Sequence, residues 1–196
     1  MAIQRESLLT LEAYAKARAG IRAQVLAHKK RRTVAVGPSV TLVFEDETTV
    51  RYQIQEMLRI EKTFEEEGIR DELAAYNPLV PDGTNLKATM MIEYTDADER
   101  ARELARLIGI EDRVFLQVGD RAPAYAVADE DLDRSNADKT SAVHFLRFEL
   151  SADAIAAFRA GTPVSIGIDH PNYRTGPIRV APDVQESLAG DFSLSS

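Results

Sequence analysis

The 196-residue chain contains no cysteine. That excludes disulfides, thiolate zinc sites, thiolate-held iron–sulfur clusters and a cysteine nucleophile. It also removes any argument for an oxidising compartment. No apolar run approaches the roughly 20 residues of a membrane span. Met1–Gln24 is interrupted by Arg5, Glu6, Glu12, Lys16, Arg18 and Arg22, so no signal peptide is expected, and a cytoplasmic location is. Positive charge is in deficit: 24 basic against 32 acidic residues gives a net charge of −8. Specific nucleic-acid binding is therefore disfavoured. There is no P-loop, no dinucleotide-binding glycine loop and no G-x-S-x-G elbow.

What remains is ordinary for a globule, with 44% hydrophobic and 29% charged residues. The length suits one domain, 1–196, with a possible division into a helix-rich half, 1–110, and a strand-rich half, 111–196. Thr10 is an expected N-cap for a helix that runs to about Lys30, with Leu11, Tyr14, Arg18, Ile21 and Val25 at helical spacing. Thr33–Val36 and Val40–Glu45 read as strands. A second helix is expected over about Val50–Glu66, stopped by Gly68, and a short third one over Asp71–Tyr76. Leu79–Asn85 is a loop built on Pro81-Asp82-Gly83. Leu86–Tyr94 alternates as a strand should.

Asp96–Ile108 reads as an amphipathic helix, and Val114–Val118 and Ala124–Ala128 as strands. Asp129–Ser141 reads as a polar loop, and Val143–Leu150 as a strand. A helix over Ser151–Arg159 follows, then strands over Val164–Ile168 and Ile178–Val180 around a turn at Asp169–Gly176. The tail from Pro182 is a short helix or a frayed end. These elements predict an α+β (mixed α/β) fold, with N-terminal helices packed on a mixed sheet, and not a Rossmann domain.

The second helix carries unusual residues on its apolar side. At about 100° per residue, Gln53 and Glu61 fall inside the arc of Ile54, Met57, Leu58, Ile60 and Phe64. A buried carboxylate must meet a cation, a hydrogen-bond network or a ligand. Glu61 is thus expected to be buried, either in an ion pair or facing a ligand or metal, unless the helix phase differs. Tyr52, Gln55, Glu56 and Arg59 lie on the opposite side. Tyr52, Glu56 and Arg59, within one turn of each other, make an ordinary solvated set or part of a site. Lys87 and Glu93, on the strand face opposite Leu86 and Met90, either pair with this helix or face solvent.

The loop from Asn77 to Lys87 is expected to fold back near Gln53, Glu56 or Arg59 and form one site. His28-Lys29-Lys30-Arg31-Arg32 closes the first helix, where cations favour the dipole; a solvated helix end is the plainer reading, an acidic or phosphate contact the other. His144 reads as a satisfied core residue. Asp169 and His170, with Asn172 and Tyr173, form either a ligand site or a structural corner. Asp, His, Glu and Gln could make an oxygen/nitrogen metal site, but their spacing matches no familiar ligand motif, so no metal ligand is assigned.

Several stretches carry a resemblance. Leu8–Tyr14, His28–Arg32, Tyr52–Glu61, Tyr76–Gly83, Lys87–Glu93 and Asp169–Tyr173 together resemble an uncharacterised bacterial family, domain of unknown function 3501. The likeness covers nearly the whole chain, and it transfers no catalytic residue. It implies a gene neighbourhood of rubrerythrin-like di-iron proteins and iron–sulfur oxidoreductases. The expectation is a cytoplasmic accessory or ligand-binding protein of a redox or oxidative-stress system, with a redox-protein partner and no identifiable cofactor. The alternative is a metal-assisted or acid/base enzyme with its site around helix 50–66 and loop 76–87.

Overall fold

The structure, a computed structural model, describes residues 2–128 and 139–192. The expected loop Asp129–Ser141 falls largely outside the described residues. Thr10 caps the first helix as expected, its hydroxyl accepting the Ala13 N–H at 3.3 Å. Helix α1 spans Leu11–Lys30. Only Tyr14 and Val25 are fully buried; Leu11, Arg18, Ile21 and His28 are half-buried on the same side. That three-and-four spacing is the seam by which α1 lies along the next helix.

Strands β1 (Thr33–Ala35) and β2 (Val40–Glu45) form a hairpin. Its bend needs Gly37, whose φ of +82° suits glycine and whose missing Cβ leaves room for the Tyr173 hydroxyl. Helix α2 spans Glu47–Glu61, starting and ending earlier than expected. Its start is fixed by a capping box: Asp46 accepts the Thr49 N–H while the Thr49 hydroxyl accepts the Asp46 N–H. Its end is fixed by Lys62, which takes the left-handed conformation at φ 55°. The Thr63 N–H then closes on the Leu58 carbonyl at 2.9 Å. Gly68 is therefore not the stop. It lies inside α3, Glu66–Tyr76, which is nearly twice the length expected.

The rest follows in order: β3 (Asn85–Ile92), α4 (Ala97–Arg106), β4 (Val114–Val118), β5 (Ala124–Tyr125), β6 (Val127–Ala128), β7 (Val143–Glu149), α5 (Ala152–Arg159), β8 (Val164–His170), β9 (Tyr173–Arg179) and α6 (Pro182–Ala189). Asp96 and Ser151 cap α4 and α5 through their side chains. The turn expected over Asp169–Gly176 is only Pro171-Asn172, because β8 and β9 pair as far as His170 and Tyr173.

The α+β class holds, but the sheet is not mixed. Among the described residues there are two sheets, ordered β1-β2-β3-β7-β6 and β5-β4-β8-β9, and every pair is antiparallel. The chain crosses from one sheet to the other at Ala126, between β5 and β6. One core fills the space between the sheets, with Phe44 and Phe148 from the first and Leu116 and Ile166 from the second. The pairing of β3 with β7, from Asn85↔Glu149 to Met91↔Val143, joins the helix-rich and strand-rich halves. A smaller core lies apart from it. There Val50, Ile54 and Leu58 of α2 meet Ile3, Leu8, Ile69, Leu73 and Val80.

A candidate ligand-binding cleft

The capping box that starts α2 also forms one wall of a cleft of about 570 Å³. Asp46, Glu47 and Thr48 supply that wall; Asn77 and Val80–Gly83 supply a second; Ala2 and the Gly190-Asp191 segment after α6 close the rest. The turn chemistry of Pro81-Asp82-Gly83 presets the loop. The Asp82 carboxylate accepts both the backbone N–H and the hydroxyl of Thr84, at 2.9 and 2.8 Å. Burial works against its charge, but those bonds hold its carboxyl below the usual range.

Beneath the cleft sits Arg32, only 1% exposed. Its guanidinium donates to the Phe44 carbonyl at 3.0 Å and the Glu45 carbonyl at 3.2 Å, which end β2. It also reaches the Ser187 carbonyl and hydroxyl, both at 3.3 Å, and the Asp191 carboxylate. Asp46 lies 3.5 Å away on the other side. Arg32 thus ties the wall at the start of α2 to the wall after α6, a use of a planar five-donor group that lysine cannot match.

Two carboxylates share this one guanidinium, and their acidities part. Burial opposes ionisation of Asp46, but the Arg32 charge, the Thr49 N–H and His28 outweigh it and hold the carboxyl below its usual range. His28 Nε2 lies 2.5 Å from Asp46 Oδ2. At Asp191 burial wins over Arg32, and the carboxyl is pushed up to about 6. The basic run is only in part a solvated helix end: Lys30 and Arg31 are exposed and Lys29 is half-buried. His28 and Arg32 turn inward to these carboxylates, and Arg31 reaches Glu186 at 3.3 Å.

Of the candidate site residues named from the sequence, only Asn77 lines the cleft. Its amide also pins the N-terminus, accepting the Ile3 N–H at 2.7 Å and donating to the Ile3 carbonyl at 3.1 Å. Lys87 donates to the Pro78 carbonyl and steadies the same loop from outside. The loop does fold onto α2, through Val80 in the small core, but the cleft it forms lies at the first turn of the helix.

Glu56 instead gathers a separate cluster between α1 and α2. It accepts from the Tyr14 hydroxyl at 2.7 Å, from Arg18 at 2.7 and 2.9 Å, and from Arg59 at 3.2 Å. Arg18 above all, then Tyr14 and Arg59, pull its carboxyl down to about 2 against the effect of burial. Burial and the Glu56 carboxylate hold the Tyr14 hydroxyl protonated far above its usual range. Tyr52 stands close enough to bear on Tyr14 and Arg18. Gln53 is half-buried at this helix's flank.

Glu61 departs from expectation. It is exposed and makes no ion pair among the described residues. Ile60 and Phe64, from the same expected arc, are exposed as well. The last turn of α2 runs past the small core, so the arc has nothing to face there. The buried polar residues of this helix are Thr49, in the capping box, and Gln55, whose amide accepts the Leu9 N–H at 2.7 Å and donates to the Leu9 carbonyl at 3.3 Å.

His170 is bonded as a residue of a structural corner. Its Nε2 meets the Ile108 carbonyl at 3.1 Å and its Nδ1 accepts the Asn172 N–H at 3.2 Å. Asp169 points out to Arg174 at 3.0 Å. Tyr173 secures the corner, donating to the Val36 carbonyl and accepting from the Ser39 N–H. His144 is fully buried against the Thr140 hydroxyl and the Ser141 carbonyl, a satisfied core residue.

Sequence reasoning missed Asp46, Asp191 and the inward turn of Arg32. Asp46 carried a signal, an Asp three residues before Thr at the head of a helix. Asp191 carried none. Among the described residues no three His, Asp or Glu side chains converge as metal ligands, and no helix is long and apolar enough to cross a membrane.

Residues 2–192 match the model of the family described as protein of unknown function, DUF3501. The chain belongs to this family. The DUF3501 chain is also similar to a crystal structure described as a novel protein of unknown function from Burkholderia pseudomallei. The two are 62% identical, with a TM-score of 0.95, over 98% of this chain and 100% of that one. No curated protein matches.

Proposed function

We propose that this DUF3501 protein is an accessory, ligand-binding protein whose ligand enters the cleft at the head of α2. The observation that carries this reading is the cleft itself. It is a concavity of about 570 Å³ whose walls come from distant parts of the chain, two of them tied together by one buried arginine. Side chains already bonded to one another make a pre-formed site, in which little ordering is needed on binding. The carboxylates of Asp46, Glu47, Asp82 and Asp191 give the walls a negative field, which favours neutral or cationic groups over phosphates. The expected place in a redox or oxidative-stress system, in a cytoplasmic setting, belongs to this proposal. A chain without cysteine leaves thiol and cluster chemistry to its partner.

An acid/base enzyme is the second reading, and Asp191 favours it. A carboxyl at about 6 in the wall of a cleft is poised to exchange a proton near neutrality. A thermal-shift screen of the purified protein, with amines, divalent metals and neutral metabolites, tests both. A ligand that raises Tm in the wild type but not in a Thr48→Arg variant, whose side chain fills the cleft, supports the binding reading. Turnover of that ligand, lost in Asp191→Asn, supports the enzyme. A hit whose effect survives Thr48→Arg places the site elsewhere.

A further inference from the structure

The corner between α2 and α3 is built unlike the rest of the surface. Ile60 is 60% and Phe64 73% exposed, the two most exposed large hydrophobic side chains among the described residues. The left-handed Lys62 turns the chain sharply between them. Around them stand Glu61, Glu65, Glu66, Glu67, Asp71 and Glu72. Residues 60–72 hold six carboxylates against two cations, Lys62 and Arg70, a net −4 and half of the whole chain's −8. Of the six, Glu66 alone makes an ion pair among the described residues, with Arg5 at 2.8 Å. Glu72 has an Oε2 that is buried and unpartnered. Burial first, then Glu61 and Asp71, raises its pKa.

An exposed aromatic beside an exposed aliphatic is an anchor for association. The ring of uncompensated carboxylates decides what can cover it. An anionic membrane or a nucleic acid would be repelled, and a second copy meeting the same corner would set −4 against −4. We infer that this corner is a docking tip for a basic protein partner, one presenting an apolar socket rimmed by Lys or Arg. Phe64 and Ile60 fill the socket and Glu61, Glu65 and Glu67 meet its rim. The tip shares no residue with the cleft, so its failure and the failure of the ligand-binding reading are separate results.

The test titrates the full, isotope-labelled chain with an amphipathic helical peptide of leucine and lysine, and in parallel with an oligolysine of equal charge. The expected result is saturable chemical-shift change confined to residues 60–72. Affinity should fall tenfold or more in Phe64→Ser and again at high salt, whereas Leu26→Ser, an exposed change on α1, should leave it unaltered. Phe64→Ser should not move Tm, since the ring is largely in solvent. Equal binding of oligolysine and the amphipathic peptide, with Phe64→Ser indifferent, would reduce the tip to a patch of charge and overturn the proposal. So would shifts mapped elsewhere, no saturable binding, adsorption of the tip to phosphatidylglycerol vesicles, or self-association through it in sedimentation.

Discussion

Two charged clusters flank α2, and they are built in opposite ratios. Near its end, one carboxylate, Glu56, collects two arginines and a tyrosine. At its head, one arginine, Arg32, collects two carboxylates. The first ratio drives the carboxyl down to about 2; the second, with deeper burial, lets Asp191 rise to about 6. Stoichiometry and desolvation, not the mere presence of an ion pair, set the direction. Glu56 is a stable clamp between α1 and α2. Arg32 and its carboxylates form a joint whose charge responds to conditions near neutral, and that joint underlies the cleft.

The largest expected effect tests whether Arg32 is that joint. Arg32→Met leaves two buried carboxylates without their cation and should cost about 3–5 kcal/mol in urea unfolding. Arg32→Lys should recover less than half, because an ammonium cannot reach both walls at once. A loss below about 1 kcal/mol would show that the cleft walls are held by other contacts.

The two clusters should also answer acid with opposite signs. For Asp191 the folded pKa lies above the unfolded value of 3.8, so the folded state takes up a proton first. Stability from this group is therefore present below about pH 4 and is lost as pH rises through about 6, on the order of 2 kcal/mol. Glu56 is the reverse: its contribution is present above the unfolded 4.5 and is lost as pH falls towards about 2. Denaturant midpoints at pH 7, 5 and 3 should show the first slope vanish in Asp191→Asn and the second in Glu56→Gln. The second substitution should itself cost about 2 kcal/mol at pH 7. Slopes of the same sign in both variants would break the comparison.

Away from both clusters, His170→Ala should lower Tm by a few degrees, through loss of two bonds to backbone worth about 1–2 kcal/mol. It should leave ligand binding in the cleft unchanged, which a ligand site at the hairpin would contradict. The smallest effect is expected at Glu61. Glu61→Ala should change stability by less than about 0.5 kcal/mol, as an exposed group without an ion pair should. A large loss would mean that a cation holds it in solution.

The cap at Thr10, the alternation of Leu86, Ala88, Met90 and Ile92, and the strands expected over Thr33–Val36 and Val40–Glu45 were legible because each depends on neighbours within a few residues. The end of α2 was not, because a lysine took the left-handed role usually given to glycine. The helical wheel misplaced Glu61 because periodicity tells which side of a helix is apolar, not how far along the core extends. The candidate cleft was legible only in its loop. Residues 77–83 were expected to fold onto α2, but towards Gln53, Glu56 or Arg59; the residues at the head of α2 and after α6 that line the cleft carried no local signal of it.

By itself the sequence determined the class of the fold, the exclusion of thiol chemistry and the positions of most elements, which follow from local propensity, burial pattern and composition; the family followed from the resemblance of whole stretches. Tertiary structure alone decided that Arg32 would meet Asp191, 159 residues away, and that two antiparallel sheets would share one core. It also decided that His28 and Arg32, out of a basic run, would turn inward. No local rule reaches across such separations; the partner of a buried charge is chosen by whichever distant carboxylate the packing of β2 and α6 brings within reach.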